Sequence, residues 1–125
     1  MSLDAIGIVS RDMQRSVAFY ALLGVELKEA GGPDHYEGST PSGVRLMLDS
    51  VALIKSLNAQ WQPATGTAII LCFKQASPAG VDAAYTKILA AGFKSVKEPW
   101  DAFWGQRYAS VADPDGNQID LFAAI

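Results

Sequence analysis

Apolar positions along this chain pass twice from a strand-like to a helix-like period, and the second passage repeats the first. Residues 4–10, with Ile6, Ile8 and Val9, read as a buried strand. A helix follows in which Met13, Val17, Tyr20 and Leu23 recur at helical spacing, with Asp12 as N-cap and Gly24 as a left-handed stop. Residues 25–30 and 35–40 read as a hairpin around the turn Gly31-Gly32-Pro33-Asp34. Pro41-Ser42-Gly43 then turns the chain into a strand at 44–49. Residues 50–63 read as a connector, in which Val51, Leu53, Ile54 and Leu57 have room for a short helix at most.

The second passage begins with a strand at 67–74. Ser77-Pro78 opens a helix, because serine caps free amides and proline at the first helical position loses no needed donor. Val81, Ala84, Tyr85, Ile88 and Leu89 form its apolar stripe. Strands are expected at 93–98, 106–112 and 118–123, with an aromatic segment at 99–104 and the turn Asp113-Pro114-Asp115-Gly116-Asn117 between the last two strands. Pro41-Ser42-Gly43-Val44-Arg45-Leu46-Met47-Leu48 aligns with Pro114-Asp115-Gly116-Asn117-Gln118-Ile119-Asp120-Leu121, each a turn followed by a strand. The expected architecture is α+β: one domain over residues 1–125, made of two βαβββ repeats at about 4–57 and 66–125, with function expected in an interior lined by both.

At 125 residues, half of them apolar, the chain can bury a core without staples. A formal charge of −3 with scattered Lys and Arg argues against nucleic acid as a partner. No apolar run approaches the roughly 20 residues that span a bilayer, and no signal-like opening is read, so no membrane partner is expected. A lone cysteine excludes an internal disulfide and fits a cytoplasmic location.

The pattern Ile8-Val9-x-x-Asp12-Met13-x-x-Ser16-x-x-Phe19-Tyr20-x-x-Leu23-Gly24 resembles the opening of the vicinal oxygen chelate superfamily. Trp104-Gly105-Gln106-Arg107-x-Ala109-x-Val111-x-Asp113-Pro114-Asp115-Gly116-Asn117-x-Ile119-x-Leu121 resembles its other signature. That superfamily includes glyoxalase I, bleomycin and mitomycin resistance proteins, fosfomycin-resistance enzymes and extradiol dioxygenases. The resemblance implies two curved mixed sheets around a central cleft, with helices on the outer faces. It also implies a metal held from the first and fourth strands of each repeat, commonly by histidine and glutamate. Carried over by position, these places are Ala5, Met47, Ala68 and Asp120. A methyl group cannot coordinate, a thioether suits soft metals, and one carboxylate cannot fix a zinc site that wants three protein ligands. The expectation is therefore no metal and no cofactor. His35, the only histidine, stands far in sequence from these strands.

Asp120 is a candidate for orienting a ligand, or else for pairing with Arg45 or Arg107. Trp100, Phe103 and Trp104, with Trp61 in the connector, offer large aromatic area for a ligand or a partner subunit. Arg107 is a candidate fork for a carboxylate, on a ligand or on Asp120. Tyr36 could present its hydroxyl to the ligand, and Met47 would add apolar lining. Tyr20 and Tyr85 read as core residues. Cys72 reads as an inert buried thiol. The expected function, following the resemblance to the resistance proteins, is metal-free binding of an aromatic or amphipathic small molecule, antibiotics included, by a homodimer. The alternatives are a glyoxalase-like lyase, isomerase or dioxygenase-related enzyme with atypical ligands, and a non-catalytic protein-interaction module.

Overall fold

A computed structural model describes residues 1–125. Its elements are β1 (Ala5–Ser10), α1 (Met13–Leu22), β2 (Lys28–Glu29), β3 (His35–Ser39), β4 (Arg45–Ser50), α2 (Val51–Leu57), β5 (Leu71–Lys74), α3 (Pro78–Ala90), β6 (Lys94–Ala102), β7 (Gln106–Ala112) and β8 (Gln118–Ala124). They fall into two compact units, Met1–Thr65 and Gly66–Ile125. Each unit holds one four-stranded mixed sheet, ordered β1-β4-β3-β2 in the first and β5-β8-β7-β6 in the second. The fold is α+β. In both sheets the first strand pairs in parallel with the fourth, and the other pairings are antiparallel. A parallel pair needs a crossover, and α1 and α3 follow the first strand of each unit in that role. No helix is long and apolar enough to cross a membrane.

In the first unit α1 starts at Asp12, whose carboxylate accepts from the Arg15 amide at 3.1 Å. The buried stripe is Ser16, Phe19 and Tyr20 rather than Met13, Val17 and Tyr20. Ser16 fits inside because its hydroxyl meets that of Ser10 at 2.7 Å, so a polar position joins the core without an orphaned group. Phe19 and Tyr20 meet edge to face, and Ile8, Leu46 and Leu48 from the sheet are buried with them. Tyr20 is core as expected; Tyr85 is half-buried, its hydroxyl donating to Ser95. Of the strand expected at 25–30, only Lys28–Glu29 joins the sheet. Val25 and Leu27 are buried, and the Glu26 carbonyl oxygen would lie 2.3 Å from a Cβ at Gly38. The chain therefore crosses over a glycine before it can pair. The first stretch of the connector does form a helix, α2, capped by the Ser50 hydroxyl accepting from the Leu53 amide.

In the second unit Ser77 caps α3, accepting from the Gly80 amide, with Pro78 at the first helical position. Val81 and Ile88 of α3 are fully buried, as are Ala109, Val111, Ile119 and Leu121 of β7 and β8, on which α3 packs. The 113–117 turn forms as read. Asp113 is buried, and its side chain accepts from the Asp115 and Asn117 amides and from the Asn117 side chain, each at 2.9 Å. Two strands differ from expectation. β5 is limited to Leu71–Lys74, because its partner β8 begins only at Gln118, after that turn, and an edge strand cannot pair beyond its neighbour. β6 runs on through Pro99 and Trp100 to Ala102, so most of the aromatic segment is strand rather than loop. Its register shifts twice between Ser95 and Trp100, around a proline that has no amide to donate.

Candidate functional site

The second sheet has one face on α3 and one face free of it, and alternation along the strands decides which side chains share the free face. In the second unit, registered pairing sets out two neighbouring rows on that face. One contains Cys72, Asp120, Ser110 and Lys97, and the other Lys74, Phe122, Tyr108 and Trp100.

The first row is polar. Asp120 is buried, and its Oδ1 accepts from the Ser110 hydroxyl at 2.7 Å and from the Gln118 amide group at 3.0 Å. Cys72 is exposed, its sulfur 3.9 Å from the Tyr108 hydroxyl, so the expectation of an inert buried thiol is corrected. Cys72 stands on the edge strand β5, on the face that α3 does not cover. Tyr108 is held protonated well above its ordinary range: burial is the main cause, followed by the contact with Cys72 and the negative charge of Asp120. The second row is aromatic. Tyr108 stacks on Phe122 with ring centres 6.1 Å apart, and Trp104 meets Tyr108 at 5.3 Å and Trp100 at 5.5 Å, both edge to face. Phe103 touches Trp104 from the turn after β6 but is 92% exposed. The Trp104 indole donates to the Gln106 side chain at 2.8 Å, which fixes the ring, while about half of its surface stays open. Lys97 caps the Trp100 ring at 4.5 Å from its centre.

The expected residues are therefore sorted. Trp100 and Trp104 lie in one aromatic wall beside Asp120, with Phe103 at its margin. Arg107 lies on the α3 side with Ala109 and Val111, and its guanidinium grips both oxygens of Asp82 on α3 (2.9 and 3.2 Å) and one of Asp101 (3.1 Å). Strand alternation turns it away from Asp120, and the fork onto that carboxylate is not made. Arg45 holds Asp4 at 2.9 Å and Glu37 at 3.1 Å. The Tyr36 hydroxyl accepts from the Gln14 side chain of α1 at 3.1 Å, on the helix side of the sheet. Met47 stands on the face of the first sheet opposite buried Leu46 and Leu48, and pairs with Gly7 in register. Trp61 is half-buried beyond α2, where its amide closes a turn onto Asn58.

Several contributors escaped the sequence reading. Tyr108 and Phe122 complete the aromatic wall, and Ser110 holds Asp120. A period-2 count along 106–112 and 118–122 would have grouped them. Ala68, placed at a first-strand position, lies outside β5 altogether, and the residue opposite Asp120 is Cys72. His35 is also closer to the fourth strand than its sequence distance suggested, because β3 pairs directly with β4. Its Nδ1 is 2.5 Å from Asp49 and its Nε2 is 2.9 Å from Glu37.

The donor sets do not fit a resident divalent metal. In the second unit Cys72 and Asp120 are two donors, short of the three protein ligands of a catalytic zinc site. In the first, each nitrogen of His35 faces a different carboxylate, so His35, Asp49 and Glu37 form a chain rather than a cage, and Arg45 lies against Glu37. No group of three or more His, Cys, Asp or Glu side chains is arranged to hold a metal ion.

A paired repeat of this topology, with one mixed sheet per unit, defines the architecture to which the glyoxalases and their relatives belong. The chain belongs to the Glyoxalase/Bleomycin resistance protein/Dioxygenase superfamily, whose family model matches residues 2–121. Among similar solved structures, a glyoxalase/bleomycin resistance protein/dioxygenase family enzyme from Burkholderia phytofirmans PsJN superposes with a TM-score of 0.89 at 21% identity, over 100% of both chains. A glyoxalase/bleomycin resistance protein/dioxygenase from Nocardioides reaches 0.78 at 26% identity, over 100% of this chain and 84% of its own. A lactoylglutathione lyase from Agrobacterium tumefaciens reaches 0.73 at 19% identity, over 98% of this chain and 92% of its own, a likeness of fold alone. No curated protein matches the chain in sequence.

Proposed function

We propose that this family member binds a planar or amphipathic small molecule, drug-like aromatic compounds included, on the helix-free face of its second unit, without a resident metal. The observation that carries this reading is the juxtaposition of an aromatic wall (Trp100, Trp104, Tyr108 and Phe122) with a buried carboxylate, Asp120, in the adjoining row. A flat ligand covering on the order of 200 Å² of apolar surface gains about 5 kcal/mol at about 25 cal/mol per Å². Losing its translational and rotational freedom costs at least about 4 kcal/mol, so stacking alone gives weak binding. A donor on the ligand meeting Asp120 supplies orientation and the remaining affinity. The thioether at Met47 and the methyl at Ala5 favour this reading over a metal-dependent lyase, since neither donates to a hard cation. The homodimer implied by the resemblance is part of the same proposal, and sedimentation of the purified protein tests it.

Tryptophan fluorescence provides the direct test. A panel of planar aromatic compounds should quench emission saturably and raise the melting temperature. Trp104→Ala or Phe122→Ala should weaken binding at least tenfold, while Trp61→Phe preserves it. If no planar compound shifts the melting temperature, the reading fails. Stoichiometric Ni, Zn, Fe or Mn in protein purified without chelator would favour the enzyme alternative instead.

A further inference from the structure

His35 lies between two carboxylates on neighbouring strands, in the unit that the binding proposal does not use. Its Nδ1 faces Asp49 at 2.5 Å and its Nε2 faces Glu37 at 2.9 Å. Neutral imidazole has one N–H and one lone pair, so it can donate to only one of these acids. Only the doubly protonated ring satisfies both contacts. Once a proton leaves, one carboxylate oxygen faces a nitrogen lone pair at hydrogen-bond distance, and that contact becomes repulsive.

Which acid then moves follows from the rest of the network. Asp49 is the closer and the more enclosed, its side chain 19% exposed against 35% for Glu37. Glu37 has a second cation available, Arg45 at 3.1 Å, which in turn holds Asp4 at 2.9 Å. We propose that His35, Asp49 and Glu37 form a proton-operated latch on the face of the first sheet away from α1: charged His35 holds both Asp49, across on β4, and Glu37, its neighbour on β3, whereas uncharged His35 keeps Asp49 and releases Glu37 toward Arg45 of β4. The surroundings leave this switch to these groups. Lys28 of β2 stands opposite Glu37 in register, but its ammonium group reaches Glu26 at 3.6 Å. β1 contributes no charged residue, α2 carries Lys55, and α1 with Arg15 lies on the other face of the sheet. The hydrogen bonds to Asp49 and then Glu37 raise the proton affinity of His35 above its ordinary value.

The latch reaches beyond its own strands. Ser50, next to Asp49, caps α2 and donates its hydroxyl to Asp34 at 2.7 Å, while its amide bonds the Asp34 carbonyl. Asp34 adjoins His35, so one end of the β3–β4 pair and the start of α2 share the clasp.

His35 is the only histidine, so its ring protons give an unambiguous magnetic resonance titration. The wild-type chain should show a midpoint above about 6.5, and the Glu37 side-chain carboxyl carbon should shift with that same midpoint. Glu37→Gln should reduce the proton affinity of His35 at least about threefold, because one charge-assisted acceptor is lost. A Glu37 carboxyl signal that stays flat through the His35 transition would overturn the latch, and so would a His35 midpoint unchanged by Glu37→Gln. The wild-type carboxyl measurement decides by itself if the variant folds poorly.

Discussion

Ser110 and Asp120 face each other in register across β7 and β8, and the serine hydroxyl donates to the aspartate at 2.7 Å with both side chains buried. This pair lets a buried carboxylate occupy the face of the sheet that α3 does not cover. Removing the donor leaves a buried acceptor underfilled, which costs roughly 1–3 kcal/mol. Ser110→Ala should therefore lower the unfolding free energy by that amount, read as a lower urea midpoint at unchanged slope. A loss below about 0.5 kcal/mol would mean that Gln118 or water replaces the hydroxyl fully.

Stability should also depend on pH through His35. Its proton affinity is higher in the folded chain than in an unfolded one, owing first to Asp49 and then to Glu37. The stabilisation is therefore complete below the unfolded value of about 6.5 and is lost as pH rises through the higher folded value. Urea unfolding across the neutral to mildly alkaline range should show stability declining upward, and His35→Gln should flatten that slope. A His35→Gln profile parallel to wild type contradicts the assignment.

Gly38 is a packing glycine. A methyl there would meet the Glu26 carbonyl oxygen at 2.3 Å, a contact that backbone must yield to relieve. Gly38→Ala should cost roughly 1–3 kcal/mol, the usual range for overpacking, whereas a change within 0.5 kcal/mol would show that the 25–29 segment moves freely.

Arg107 distinguishes the two faces of the second sheet. Because its guanidinium ties β7 to Asp82 of α3 and to Asp101, Arg107→Ala should lower the melting temperature while leaving quenching by planar compounds unchanged. A large loss of binding at intact fold would place this residue in the ligand site after all.

Asp113 tests the turn that both repeats share in position. Its buried carboxylate gathers three donors, so Asp113→Ala should destabilise by about 2 kcal/mol or more, and Asp113→Asn by less because one acceptor oxygen survives. Thermal unfolding of the two variants gives the order.

The sequence alone determined the duplicated β-α-β-β-β order, the caps at Asp12 and Ser77, and the 113–117 turn, because each depends on neighbours within a few residues. Alternation also separated Asp120 from Ile119 and Leu121. What it could not decide depends on pairing between distant strands. The length of β5 was fixed by where β8 begins, the short β2 by the crossing at Gly38, and the strand character of Trp100 by its pairing with Tyr108. Likewise, only the sheet brought His35 onto Asp49, and only the position of α3 gave Arg107 its partner Asp82. A side chain's partner is set by register and by which face the helix covers, and both arise when strands far apart in sequence come together.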